Sequence, residues 1–120
     1  MSKALKVAVD GGPYALAAGP DGAMWVTLVH AGAVARISGA GEVTVHAVGD
    51  GSRPSIITAG PDGALWFTAM ASGVIGRIST DGEVTTVDLA SGSEPHGLAI
   101  GPDGAVWVAL EAGFVLRMPN

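Results

Sequence analysis

The chain contains no cysteine, which excludes disulfides, a thiolate nucleophile and thiolate metal ligation; any bound metal must use oxygen or imidazole ligands. Charge is scarce too, at 14% of residues, and it leans acidic: six Lys and Arg against eleven Asp and Glu leave a net charge of -5. That balance argues against nucleic acid or an anionic membrane surface as a partner. Long hydrophobic runs are missing. Nothing approaches the roughly 18 apolar residues of a membrane span, and the opening MSKALKVAVDGG carries lysines but no apolar stretch of signal-peptide length. The expectation is a soluble, cytoplasmic protein.

What the chain does have is apolar content and repetition. With 48% hydrophobic residues in 120 it is one domain's worth of globular material, able to bury a core. GPDGAMWVT begins at Gly19, GPDGALWFT at Gly60 and GPDGAVWVA at Gly101, a spacing of 41 residues that puts Trp25, Trp66 and Trp107 in register. A second landmark follows each: GAVARIS from Gly32, GVIGRIS from Gly73 and GFVLRM from Gly113. A period near 40 with short β-runs marks the four-stranded antiparallel blade of an all-β propeller.

Punctuation divides each unit. Pro fixes φ, Asp bonds the local backbone and Gly follows freely, so Gly-Pro-Asp-Gly sets a hairpin turn. First strands are expected over 14–18, 55–59 and 96–100, second strands over 24–29, 65–70 and 106–111, third strands over 33–38, 74–79 and 114–118, and fourth strands over 43–48 and 84–89. The blades then span 13–49, 54–90 and 95–118. The third unit has no fourth strand, while ALKVAV at 4–9 reads as a fourth strand with no blade of its own. Three blades leave two apolar faces and unpaired edges, an aggregation hazard. A homodimer resolves this by closing a six-bladed ring in which residues 4–9 complete the partner's last blade.

The recurrent Asp21, Asp62 and Asp103 read as turn formers, the tryptophans as packing between blades, and Arg36, Arg77 and Arg117 as structural. One unit departs from its sisters. EPHGLAIGPDGAVWVALE carries Glu94, His96 and Glu111 where the others hold unlike residues. Folding the hairpin about its turn brings Glu111 beside residues 94–96, and cross-strand neighbours have Cβ atoms roughly 4.5–5.5 Å apart. First strands line a propeller's channel, so Glu94 and His96 should share a funnel with Tyr14 and Ser55. Two clustered carboxylates repel unless a cation or proton intervenes, and hard oxygen ligands suggest Mg²⁺.

The repeated GPDGALWFT with IGRIST and GEVT resembles the blade of the virginiamycin B lyase family, the streptogramin-inactivating lyases, whose known members are seven-bladed propellers. NHL-type propellers share a looser version. EPHG followed by WVALE is similar to that family's catalytic blade, and GPYALAAGPDG to its first, where Pro-Tyr faces the substrate. The resemblance implies a Mg²⁺-dependent carbon–oxygen lyase that opens the ester of a cyclic depsipeptide antibiotic by elimination. His96 would be the general base, taking the proton α to the ester carbonyl. Glu94 and Glu111 would hold the metal, which polarises the carbonyl. Tyr14 and Ser55 would face the substrate. Two other readings stand beside it: a non-catalytic, self-assembling half-propeller that keeps the motif as inheritance, and a propeller that binds a small molecule or peptide without turnover.

Overall fold

Each Gly-Pro-Asp-Gly stretch closes a hairpin, with the N–H of Gly19, Gly60 and Gly101 donating to the carbonyl of Ala23, Ala64 and Ala105, each at 2.8 Å. Around these turns the computed structural model, which describes residues 4–119, is all-β apart from one short 3₁₀ turn at Met70–Ser72. The first sheet holds β1 (Pro13–Ala18), β2 (Met24–Leu28), β3 (Ala33–Ile37) and β4 (Val43–Ala47) in that spatial order. The second repeats it with β5 (Pro54–Ala59), β6 (Leu65–Ala69), β7 (Val74–Ile78) and β8 (Val84–Asp88). The third has β9 (Pro95–Ile100), β10 (Val106–Leu110) and β11 (Phe114–Arg117). Every pairing is antiparallel, and β1, β5 and β9 lie in sequence alongside one another.

Strand alternation sends successive side chains to opposite faces, so each blade packs against both neighbours. Trp25 and Val34 of the first blade meet Ile57, Leu65, Phe67 and Ile78 of the second, all buried. From the second blade's far face Ile75 and Trp66 meet Val106, Val108 and Met118 of the third. The middle blade is therefore covered on both sides. Gly76 is part of this fit, since a Cβ there would run into the ring of Phe67.

The outward faces of the end blades are open. Leu16, Met24, Val43 and Val45 are exposed on one, Trp107 and Val115 on the other. Trp25 is 0% exposed and its counterpart Trp107 is 36% exposed, because among the described residues no blade covers the latter.

Residues 4–9, expected as a strand, pair with no strand among the described residues. A strand needs an edge, and the edge expected for them is that of β11 in a second copy; the β11 of this chain lies at the other end of the arc. They cross the open face of the first blade instead, where Val9 packs with Val26, Leu28 and Ala35. Val48 and Leu89 make the equivalent contacts on the second and third blades. Val9 thus sits where the end of a preceding blade's outer strand would sit.

Candidate active site

The first strand of each blade carries the same irregularity. The register slips between Pro13 and Leu16 in β1, between Pro54 and Ile57 in β5, and between β9 and β10 at Val108 and Leu110. Two residues on the inner strand thus face one on its partner, a β-bulge. The bulged pairs are Tyr14-Ala15, Ser55-Ile56 and His96-Gly97, opposite Thr27, Thr68 and Ala109. Bulges re-aim side chains, and this one occurs where Tyr14, Ser55 and His96 stand.

A bulge frees a backbone N–H from the ladder, and threonine takes it up. Thr27 Oγ1 accepts from Ala15 N at 3.1 Å and donates to the Ser55 carbonyl at 2.7 Å. Thr68 Oγ1 accepts from Ile56 N at 3.2 Å and donates to the His96 carbonyl at 2.8 Å. Each hydroxyl clasps one inner strand to the next, so the main chain at His96 is held from the second blade.

Around this scaffold the chain brings its candidate residues together unevenly. Tyr14 and His96, from the first and third blades, meet edge to face with ring centroids 6.4 Å apart. Tyr14 is 58% exposed, while His96 Nδ1 is buried and has no hydrogen-bond partner. The backbone N–H of Glu111 donates to the Glu94 carbonyl at 3.0 Å, which pairs the two residues across the hairpin; both are exposed. Ser55 is buried, and its hydroxyl donates to the Arg53 carbonyl at 2.9 Å, so it forms wall and presents no free donor. Two carboxylates suit Mg²⁺, which accepts one or two from protein and keeps its waters. A closed cage is another matter: among the described residues no three His, Asp or Glu side chains converge to hold a metal.

Two features escaped the sequence reading. Arg53 and Glu94 have φ of 54° and 53°, the left-handed region, at the position Gly12 fills with φ 77° in the first blade. Such a conformation costs a non-glycine residue about 1–3 kcal/mol and collects at functional sites. Both residues line a rim cavity of about 450 Å³ between the second and third blades, with Ser91 and Ser93. The glycine in the first unit was the available signal. The second feature joins the three recurrent residue types, Asp, Trp and Arg, into one cluster. In every blade one Asp accepts from the Trp indole, from an Ala N–H and from the Arg Nε; for Asp103 these lie at 3.2, 3.0 and 2.6 Å.

This geometry has known counterparts. A sequence profile described as the virginiamycin B lyase family matches residues 2–113. The chain belongs to that family. Virginiamycin B lyase of Mycolicibacterium smegmatis is 70% identical over 56 residues, covering 47% of this chain and 20% of that one. The Streptomyces coelicolor lyase is 71% identical over 42 residues, 34% of this chain and 14% of the relative. Among solved structures, a streptogramin B lyase superposes with TM-score 0.81 at 29% identity, over 91% of this chain and 41% of the other. Selenomethionine-substituted virginiamycin B lyase from Staphylococcus aureus gives 0.81 at 31% identity over the same shares. The chain thus spans well under half the length of its lyase relatives, and its fold is that of an arc of the lyase propeller.

Proposed function

We propose that the third blade is a streptogramin-lyase-like site that opens a cyclic depsipeptide by elimination. What carries the reading is that one bulged hairpin bears Glu94, His96 and Glu111, the two glutamates paired through their backbones, with Tyr14 against the imidazole. A catalytically inactive histidine-to-alanine form of the Staphylococcus aureus lyase has been solved with quinupristin, which supports a histidine-dependent reaction on this fold.

His96 is the base. Elimination dictates which proton it takes: one on the carbon next to that bearing the ester's alkyl oxygen. The C–H electron pair becomes the C=C bond, the alkyl C–O bond breaks, and the ester departs as a carboxylate without consuming water. Removal of the proton α to the ester carbonyl, the sequence-based expectation, would leave the ring closed. Tyr14 flanks the imidazole and offers an aromatic face to the ligand, and Ser55 shapes the wall. Glu94 and Glu111 would hold Mg²⁺, with water completing the shell; when bound, the ion supplies Lewis-acid polarisation of a ligand carbonyl.

Incubation with quinupristin, with and without Mg²⁺, tests this by mass spectrometry. A linear product of unchanged mass is expected, lost in His96→Ala with folding retained. A product heavier by one water, or equal turnover by His96→Ala, overturns it.

The open faces call for cover. We propose a second copy of the chain, with residues 4–9 laid along β11 of the partner to close a six-bladed ring. The placement of Val9 supports this, as do the exposed Trp107 and Val115.

A further inference from the structure

Three arginines have a task inside the fold. Arg36, Arg77 and Arg117 are each bonded to a turn aspartate, at 2.7, 2.7 and 2.6 Å. Arg53 makes no ion pair among the described residues, and its side chain donates no hydrogen bond to them. It borders the rim cavity of about 450 Å³ together with Glu94. The other walls are residues 70–73 of the second blade and 89–93, which lead from it into the third, so neither open outer face contributes. A guanidinium left unpaired in a chain of net charge -5 is open to an anion from outside.

The main chain that carries Arg53 is fixed on both sides. Ser52 Oγ donates to the Gly49 carbonyl at 2.6 Å, and the Ser52 carbonyl accepts from Ala71 N at 3.1 Å. The Arg53 carbonyl accepts from Ser55 Oγ at 2.9 Å, and Pro54 and Ser55 are buried. These bonds hold Arg53 at φ 54°, a strained position that persists only where its surroundings over-determine it. A solvated rim charge needs no such support, and Gly12 serves the same turn in the first blade without strain. The Ser55 hydroxyl, which is closed to a ligand, thereby acquires a purpose: it fixes the backbone of Arg53.

A guanidinium presents a planar fork of donors that matches a carboxylate. The elimination proposed above generates one. As the alkyl C–O bond breaks, its electron pair stays on the departing oxygen, and a neutral ester becomes a carboxylate tethered to the opened ring. We infer that Arg53 receives this carboxylate in the rim cavity and holds it more tightly than the intact ester. An interaction that grows as charge develops lowers the barrier, whereas one equal for both forms only tightens binding. Glu94 borders the same cavity with the opposite charge; in the proposed site it serves a cation, which leaves Arg53 for the anion. The inference rests on the lyase reading and adds Arg53 as a substrate-contacting residue, with Ser55 positioning it.

Quinupristin opened at its ester by mild alkali supplies the carboxylate without the enzyme, and isothermal titration calorimetry on the full chain compares it with the intact ring. Arg53→Gln should weaken binding of the opened form about tenfold or more, the order of a charge-assisted hydrogen bond, and of the intact ring by less than about threefold. Added salt should weaken the opened form with the native chain and change little with the variant. Arg53→Gly, which relieves the strain, should melt no lower than the native chain and show the same selective loss, separating the charge from the fold. In turnover, Arg53→Gln should lower kcat and leave KM nearly unchanged. Equal binding of the opened form by the native chain and Arg53→Gln, or an equal loss for both forms, overturns the subsite. Selective loss without any turnover by the native chain overturns the lyase chemistry alone.

Discussion

Single positions in this chain are read best against their own repeats. Gly12, Arg53 and Glu94 occupy one left-handed backbone position, and only the first is the residue that conformation favours. Keeping Glu94 there costs stability that a structural role would not justify. Glu94→Gly should hold or raise the unfolding free energy, by about 1 kcal/mol or less, because strain is relieved while chain entropy is added. It should also remove any Mg²⁺ response. Urea denaturation and turnover of the same variant check both halves, and a marked loss of stability would mean that Glu94 is there to hold the loop. The presence of Glu94, His96 and Glu111 in one unit was legible from sequence, because a repeat supplies its own baseline. The strain was not, since φ is set by how the loop joins two blades. Nor was the burial of Ser55, whose type is equally at home on a rim or in a wall.

Among the elements, two devices recur. The threonine clasp ties each inner strand to the next, and Thr68→Val would leave the Ile56 N–H and the His96 carbonyl without their partner. The expected loss is about 1–3 kcal/mol by denaturant titration. The other device is the Asp–Trp–Arg clamp at each hairpin. For Asp21 and Asp62 burial pushes the carboxyl up, but the Arg36 or Arg77 guanidinium, the indole and the backbone N–H outweigh it and hold the group below its ordinary 3.8. Asp103, bonded by Arg117, Ala105 N–H and Trp107, is lowered to about 2. A depressed folded-state pKa adds stability above the unfolded value and loses it as pH falls through the folded one. The clamps should therefore stay intact from neutral pH to about 4 and weaken between about 4 and 2. Asp62→Asn, which breaks an exposed pair at 2.7 Å, should cost about 0.5–1 kcal/mol at pH 7 and blunt that acid dependence. An acid limb unchanged in this variant would show that the clamp does not set it.

For the molecule as a whole the question is what lies against the two open faces. Sedimentation should give about twice the 11.8 kDa chain mass, and deletion of residues 1–9 should abolish association. Association should also shift the emission of Trp107, the most exposed of the three indoles, to the blue. A stable monomer with a solvent-exposed Trp107 would overturn the closed ring. By itself the sequence determined the blade: the 41-residue spacing, the Gly-Pro-Asp-Gly turns and the alternation of apolar residues specify local pairings, and local pairing is what periodicity encodes. Only the tertiary structure decided that Tyr14 meets His96, that a threonine of one blade holds the main chain of the next, and that residues 4–9 form no strand here. Those contacts join residues far apart along the chain, and their geometry depends on how twisted sheets stack around an axis, which no single repeat records.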